Sequence, residues 1–237
     1  MRMGAGNQPR FGTDGVRGIA GTELTADFVR LLGRASARVL ASSTILVGQD
    51  PRASSPEFAR AFAEGAASEG ADAVLVGMLP TPALAWLAAR SGVAAAMVTA
   101  SHNPHTDNGV KVFAPGGLKL TDEVERAIEH ELSTLGAPES SSTGSVRNDE
   151  TAASAYVDHL VAAFPASMLD RLRVVIDCAN GAMSRVAPIV LRRLGATLVV
   201  LNDQPNGTNI NDGCRSEEHT SELQSLAYLV CRLLLEK

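Results

Sequence analysis

Apolar side chains return along this chain at two different spacings. Between Thr25 and Ala41 they recur at Phe28, Leu31, Leu32, Ala35, Val39 and Leu40, one stripe of a helix. Thr44 to Gly48 is a short continuous apolar run, which predicts a buried strand ended by the polar Gln49-Asp50-Pro51-Arg52. Ser54-Ser55-Pro56 opens a second helix, with proline near its first turn, and Gly70 stops it just past Glu69. The same alternation predicts a strand from Ala73 to Met78 and a helix from Thr81 to Arg90. A further strand runs from Val93 to Val98, and a fourth from Val110 to Phe113, turned by Pro115-Gly116-Gly117. Thr121 to Leu135 reads as a helix with Asp122, Glu123 and Glu125 in its first turn, where the helix dipole favours them. Residues 9–21, rich in glycine and polar side chains, read as a loop.

Gly136 to Glu150 holds proline, glycine and a Ser-Ser-Ser-Thr run and reads as a linker, so a domain boundary is expected near residue 140. A second α/β unit follows. Its helices are expected over Ala152–Phe164 and Arg185–Leu194, and its strands over Arg173–Ile176 and Ala196–Leu201.

Composition sharpens this picture. The chain is 45% hydrophobic but only 4% aromatic, so its interior is built from alanine, valine, leucine and glycine. Such side chains suit helices packed closely on a mostly parallel sheet. The 237 residues allow one large or two modest domains. With 21 basic and 26 acidic residues the formal charge is −5, and no basic block stands out. Nucleic acid is therefore not an expected partner, and any phosphate recognition must be local. Cys178, Cys214 and Cys231 have no CxxC spacing, which fits a reducing cytoplasm. No secretory signal and no apolar run of about 18 residues is visible, so the expectation is a cytoplasmic protein without a membrane span.

The strongest chemical signal is Thr99-Ala100-Ser101-His102-Asn103-Pro104, directly after the strand that ends at Val98. Open α/β sheets place ligand chemistry at the carboxyl ends of their strands. His102 could polarise a group on Ser101, while Asn103 and the backbone N–H groups could hold an anion. Pro104 stiffens the exit. Taken alone, the six residues suit a plain surface turn equally well. A hydrolytic serine is disfavoured, because the chain has no GxSxG elbow. His102 and His105 lack the spacing of a helical metal pair. Asp177 reads as a cap for the turn that follows it, and Asp14 as a loop-building residue.

Four further blocks turn this signal into a resemblance: Phe11-Gly12-Thr13-Asp14-Gly15-Val16-Arg17-Gly18, Asp107-Asn108-Gly109-Val110-Lys111, Asp177-Cys178-Ala179-Asn180-Gly181-Ala182 and Asn206-Gly207-Thr208-Asn209-Ile210-Asn211. In this order and spacing, from about Pro9 to Cys214, the chain resembles the α-D-phosphohexomutases, and among them the bacterial amino-sugar branch. The resemblance implies a layered α/β/α first domain over residues 1–140 and an incomplete α/β second domain over 141–214. It implies interconversion of glucosamine 6-phosphate and glucosamine 1-phosphate through a phosphoserine and a bisphosphorylated sugar, feeding cell-wall precursor synthesis. The glucose and mannose mutases of the same family, and a non-catalytic phosphosugar-binding fragment, are the alternatives. Ser101 would carry the phosphoryl group, with His102 donating to it and Arg17 gripping its oxygens. Lys111 would stand near the reacting hydroxyl, and Asn103 would orient the loop on the substrate side. Mg²⁺ is the implied cofactor, with phosphorylated Ser101 giving one of its oxygen ligands. A homodimer is a further implication for the full-length protein.

The chain also departs from the family. No DxDGDR-like metal loop, no Glu-x-Ser-Gly-His sugar loop and no C-terminal phosphate-binding loop occurs between Met1 and Lys237. From Arg215 the expected Gly-Ser-Thr-His is replaced by Arg-Ser-Glu-Glu-His-Thr-Ser-Glu-Leu-Gln-Ser. That peptide, and Tyr228 to Lys237, match translation of the two arms of a common short-read sequencing adapter, with room for an index at Leu226-Ala227. Residues 215–237 are therefore expected to be a library scar and are excluded from fold reasoning.

Overall fold

Thr25 starts the first helix by the means its sequence offers. Its hydroxyl accepts a hydrogen bond from the Phe28 N–H at 3.2 Å while its own backbone stays extended. Such a cap contributes about 1 kcal/mol. The computed structural model describes residues 11–12, 15–137 and 143–214. Asp14 and the stretch 215–237 lie outside the described residues.

In chain order the strands are β1 (Phe11–Gly12), β2 (Gly15–Ile19), β3 (Thr44–Gln49), β4 (Asp72–Met78), β5 (Ala94–Val98), β6 (Asp107–Ala114), β7 (Leu118–Lys119), β8 (Val146–Asn148), β9 (Arg173–Asp177) and β10 (Thr197–Leu201). The α-helices are α1 (Ala26–Leu40), α2 (Ser55–Ser68), α3 (Thr81–Ser91), α4 (Asp122–Thr134), α5 (Ala152–Ala162) and α6 (Ala187–Arg193). The main sheet runs β1-β2-β6-β5-β3-β4-β8, with β7 paired to β6. Strands β5, β3, β4 and β8 are parallel, whereas β6 runs antiparallel to both β5 and β2.

Both faces of this sheet are covered. Ile45, Val47, Ala96, Val98 and Val110 pack with Phe28 and Phe62 on one side. Leu46, Val74, Met97 and Phe113 pack with Leu84, Tyr156 and Val190 on the other. Alternate residues of one strand thus serve two cores, which is why β3 and β5 read as unbroken apolar runs. The layering is α/β/α, as the family resemblance implied. A buried carboxylate ties the helices of the first face together. Glu69, its side chain 2% exposed, accepts from Arg34 Nε at 2.7 Å and from Arg38 Nε at 3.0 Å. Arg38 also reaches Glu131 of α4 at 2.7 Å.

Three expectations shift. The stretch 9–21 is not a loop throughout, because Gly15 to Ile19 form β2 against β6. Gly15 hid it. Its φ is +89°, and a Cβ there would fall 2.4 Å from the Val110 carbonyl oxygen, so the strand must begin on a residue without strand propensity. β6 begins at Asp107 rather than Val110, since Asn108 is fully buried yet polar. Its amide donates to the Ser54 and Ser55 hydroxyls at 2.8 and 3.0 Å. The stretch read as a linker contains β8, which extends the main sheet beside β4.

The second unit supplies β9 and β10, paired in parallel with Val174 opposite Leu198. Its helices α5 and α6 join the second core through Tyr156, Val157, Val186 and Val190. The ring of His159 stacks on Trp86 of α3 at 4.5 Å. No helix among the described residues is long and apolar enough to cross a membrane.

Candidate active site

Ser101 sits on a turn whose shape is imposed from below. β3 and β5 lie side by side, and their carboxyl ends deliver Asp50 and Thr99 to one place. The Asp50 N–H donates to the Val98 carbonyl at 3.0 Å, and the Thr99 N–H donates to the Gly109 carbonyl at 2.9 Å. Asp50 is 3% exposed and fully engaged. One carboxylate oxygen accepts from the Arg52 N–H at 3.0 Å and the Ser55 hydroxyl at 2.8 Å. The other accepts from the Thr99 hydroxyl at 2.7 Å and from the Arg52 guanidinium. The Thr99 oxygen in turn accepts the Ser101 N–H at 3.1 Å.

Arg52 is the next layer. It is 1% exposed, and its second terminal nitrogen donates to the carbonyls of Ser101 at 3.2 Å and Asn103 at 2.7 Å. The Asn103 N–H closes the turn on the Ala100 carbonyl at 3.1 Å, and the Asn103 amide donates to Asp107 at 2.9 Å. Ser101 itself has φ +55°, in the left-handed region. A serine there costs about 1–2 kcal/mol, so the conformation persists only because its surroundings fix it. The result is an exposed Ser101 and an exposed His102 at the tip of a turn whose base is buried.

Arg17 and Lys111 arrive from the neighbouring strands. Arg17 on β2 stands opposite Gly109 on β6, and Lys111 follows two residues later opposite Met97 of β5. Side chains two apart on a strand share a face, so Arg17 and Lys111 project from the same side of the sheet. Gly109 makes room for this. A Cβ there would lie 2.9 Å from Arg17 Cγ and 2.8 Å from the Thr99 carbonyl oxygen. The Lys111 ammonium lies 5.8 Å over the Phe113 ring. Both side chains are half-buried. The Arg17 stem therefore passes beside Thr99 at the foot of the serine turn, while Lys111 projects from the same face of the sheet two residues farther along β6.

Asp177 acts as a cap: it accepts from the Ala179 N–H at 2.8 Å and the Asn202 amide at 3.0 Å. Burial pushes the Cys178 thiol above its ordinary pKa, and the nearby carboxylates of Asp203 and Asp177 push it further. Reasoning from the sequence missed Asp50, Arg52 and Asn211. The first two stood in plain view as charged residues directly after a strand, but were read only as a strand terminator. Asn211, in the Asn206–Asn211 block, donates to the Ser101 carbonyl at 2.9 Å and the Asn103 carbonyl at 3.1 Å.

This fold and turn define a class. Residues 8–138 match the family model described as phosphoglucomutase/phosphomannomutase, alpha/beta/alpha domain I, and the chain belongs to that family. It is 49% identical over 224 residues to a phosphoglucosamine mutase of Rhodococcus jostii, covering 90% of this chain and 50% of that protein. A phosphoglucosamine mutase of Thermobifida fusca is 46% identical over 218 residues, covering 87% of this chain and 48% of that protein. The chain thus spans about half the length of the curated relatives it matches. Among solved structures, a phosphoglucomutase/phosphomannomutase family protein from Burkholderia thailandensis superposes with TM-score 0.76 at 29% identity, covering 90% of this chain and 48% of that one.

Mg²⁺ needs several oxygen ligands. Among the described residues no group of three or more His, Cys, Asp or Glu side chains comes together to hold a metal. The described residues do not fit a complete Mg²⁺ site.

Proposed function

We propose that this chain carries the phosphoryl-donor half of a phosphoglucosamine mutase, interconverting glucosamine 6-phosphate and glucosamine 1-phosphate. The observation that supports this most is the Ser101 turn, held in a left-handed conformation at the end of β5, with Arg17 and Lys111 on one face of the adjoining strands. The names of the relatives at 45–49% identity favour an amino sugar over glucose or mannose. The donor domain is placed over residues 1–140 and the beginning of a second over 141–214, with β8 of the second stretch completing the donor domain's sheet.

The reaction needs little covalent chemistry from the protein. A phosphoserine is kinetically inert in water and stores the group until a positioned sugar hydroxyl attacks. The bond between phosphorus and the Ser101 oxygen breaks, a new bond to the sugar oxygen forms, and the sugar hydroxyl gives up its proton. The freed serine oxygen takes one up. The bisphosphorylated sugar then turns over and returns its other phosphoryl group to Ser101. Negative charge spreads over the equatorial oxygens in each transfer. The Arg17 fork suits two of those oxygens, His102 donates to a third, and Lys111 serves the reacting hydroxyl by charge or proton transfer. Asn103 orients the loop towards the sugar. Mg²⁺ would add charge neutralisation, with phosphorylated Ser101 giving one oxygen and the family's acidic metal loop, not found in this sequence, the others. The protein acts in the cytoplasm, and its full-length form pairs as a homodimer.

Glucosamine 1,6-bisphosphate with Mg²⁺ tests the reading. Mass spectrometry is expected to find phosphate on Ser101, and none on the Ser101→Ala variant. An unmodified wild-type chain would leave the non-catalytic binding fragment as the better account. Net conversion of glucosamine 6-phosphate by the 237-residue chain is expected to be negligible, since the sugar and metal loops are not in its sequence.

Residues 215–237 are read as translated adapter. Sequencing the genomic locus across the Cys214 codon is expected to show Gly-Ser-Thr-His next; finding Arg215 to Lys237 there would overturn this.

A further inference from the structure

The turn that carries Ser101 is gripped from two sides, and only one grip comes from its own domain. Arg52 and Asn211 each donate to the same two carbonyls, those of Ser101 and Asn103. Each carbonyl oxygen has two lone pairs, so each is filled by this pair of donors. A planar trans peptide points its N–H opposite its C=O. Drawing the Ser101 carbonyl inward therefore turns the His102 N–H outward, to the exposed side of the turn. We propose that Asn211 is a positioning residue for phosphoryl transfer at Ser101, fixing the turn's carbonyls jointly with Arg52 across 110 residues of sequence.

The loop around Asn211 is built as a firm support. Asn206 Oδ1 accepts from the N–H groups of Thr208 and Asn209, both at 3.0 Å, and Asn209 Oδ1 accepts from the Asn206 N–H at 2.9 Å. The Asn211 N–H donates to the Ala179 carbonyl at 2.9 Å, joining the loop to the 177–182 turn. The Ala53 N–H donates to the Gly207 carbonyl at 3.0 Å, so the same loop also rests on the segment next to Arg52. Asn211 has φ +62°, a conformation that asparagine tolerates better than most residues. Backbone and side chain are thus both committed to presenting one carboxamide to the serine turn.

This rests on the mutase reading for its consequence but not for its geometry, and the test separates the two. Asn211→Asp keeps size and tolerance of the left-handed backbone but sets a negative oxygen against two carbonyl oxygens. Asn211→Gly removes the side chain with no backbone strain, and stands in if the aspartate variant fails to fold. Hydrogen exchange is measured on the peptide spanning Ala100 to Asp107 in the full chain. Both variants are expected to exchange about tenfold faster there, with β3 and β5 unchanged. With glucosamine 1,6-bisphosphate, the maximal rate of Ser101 phosphorylation is expected to fall about tenfold while the half-saturating concentration stays within about twofold. Exchange and rate both matching wild type would overturn the proposal. So would faster exchange with an unaltered phosphorylation rate, which would leave Asn211 as a tether alone. Wild-type chain that takes no phosphate, combined with faster exchange in the variants, would count against the mutase reading and leave the clamp standing.

Discussion

Replacing Asp50 by alanine lowers the free energy of unfolding by about 3–5 kcal/mol, the range expected when one partner of a buried ion pair is removed. The Arg52 side chain is wholly buried, and its charge is balanced at this point by the Asp50 carboxylate. Removing that carboxylate strands a guanidinium in the base of the turn and also leaves the Ser55 and Thr99 hydroxyls without the acceptor they share. Domain stabilities are about 5–15 kcal/mol, so the loss is a large share of the total. Urea denaturation followed by circular dichroism measures it. The charge-removing pair Asp50→Ala with Arg52→Met is expected to recover part of the loss, since an apolar replacement of both partners is often neutral. A single variant within about 0.5 kcal/mol of wild type would show that water reaches Arg52 and that the pair is not sealed.

Arg17→Lys slows phosphorylation of Ser101 by about 10²-fold, and Arg17→Ala by about 10³-fold. Lysine preserves the charge but offers one ammonium where the guanidinium offers a rigid fork matched to two phosphoryl oxygens. The Arg17 stem has room beside the Thr99 carbonyl because residue 109 is glycine: a Cβ there would lie 2.9 Å from Arg17 Cγ. Mass-spectrometric time courses with glucosamine 1,6-bisphosphate give the rates, and the unfolding midpoint checks that the fold is intact. Full rate in the lysine variant would assign Arg17 to the surface rather than to the phosphoryl group.

The strands and helices of the main sheet were legible because each serves a buried face. β3 and β5 announce themselves as apolar runs, and α1 as a stripe with a threonine in front of it. β2 was not legible: of its five residues, two are glycines, and Val16 is the one that is fully buried. β8 was hidden for another reason. All three of its residues are exposed, so it carries no hydrophobic signature, and its pairing with β4 alone defines it. The serine turn was legible as a motif, with Arg17 and Lys111 brought to one face of the adjoining strands by register rather than by local pattern. Arg52 and Asn211 escaped notice because their function is to donate to backbone carbonyls. No spacing rule marks a side chain whose partners are main-chain atoms 49 and 110 residues away.

The double grip on Ser101 also sets an order of events during synthesis. Strands β1 to β6 of the main sheet, the buried Asp50–Arg52 pair and the serine turn are all encoded before residue 115, and can assemble while the ribosome is still reading the second unit. Asn211 does not yet exist at that stage. The turn then has one of its two clamps, and its carbonyls keep lone pairs open to water. Only when the Asn206–Asn211 loop emerges and settles against Ala53 and Ala179 does the serine acquire its final setting. A nascent chain therefore passes through a period in which most of the first sheet can form while the serine turn still lacks one of its two clamps.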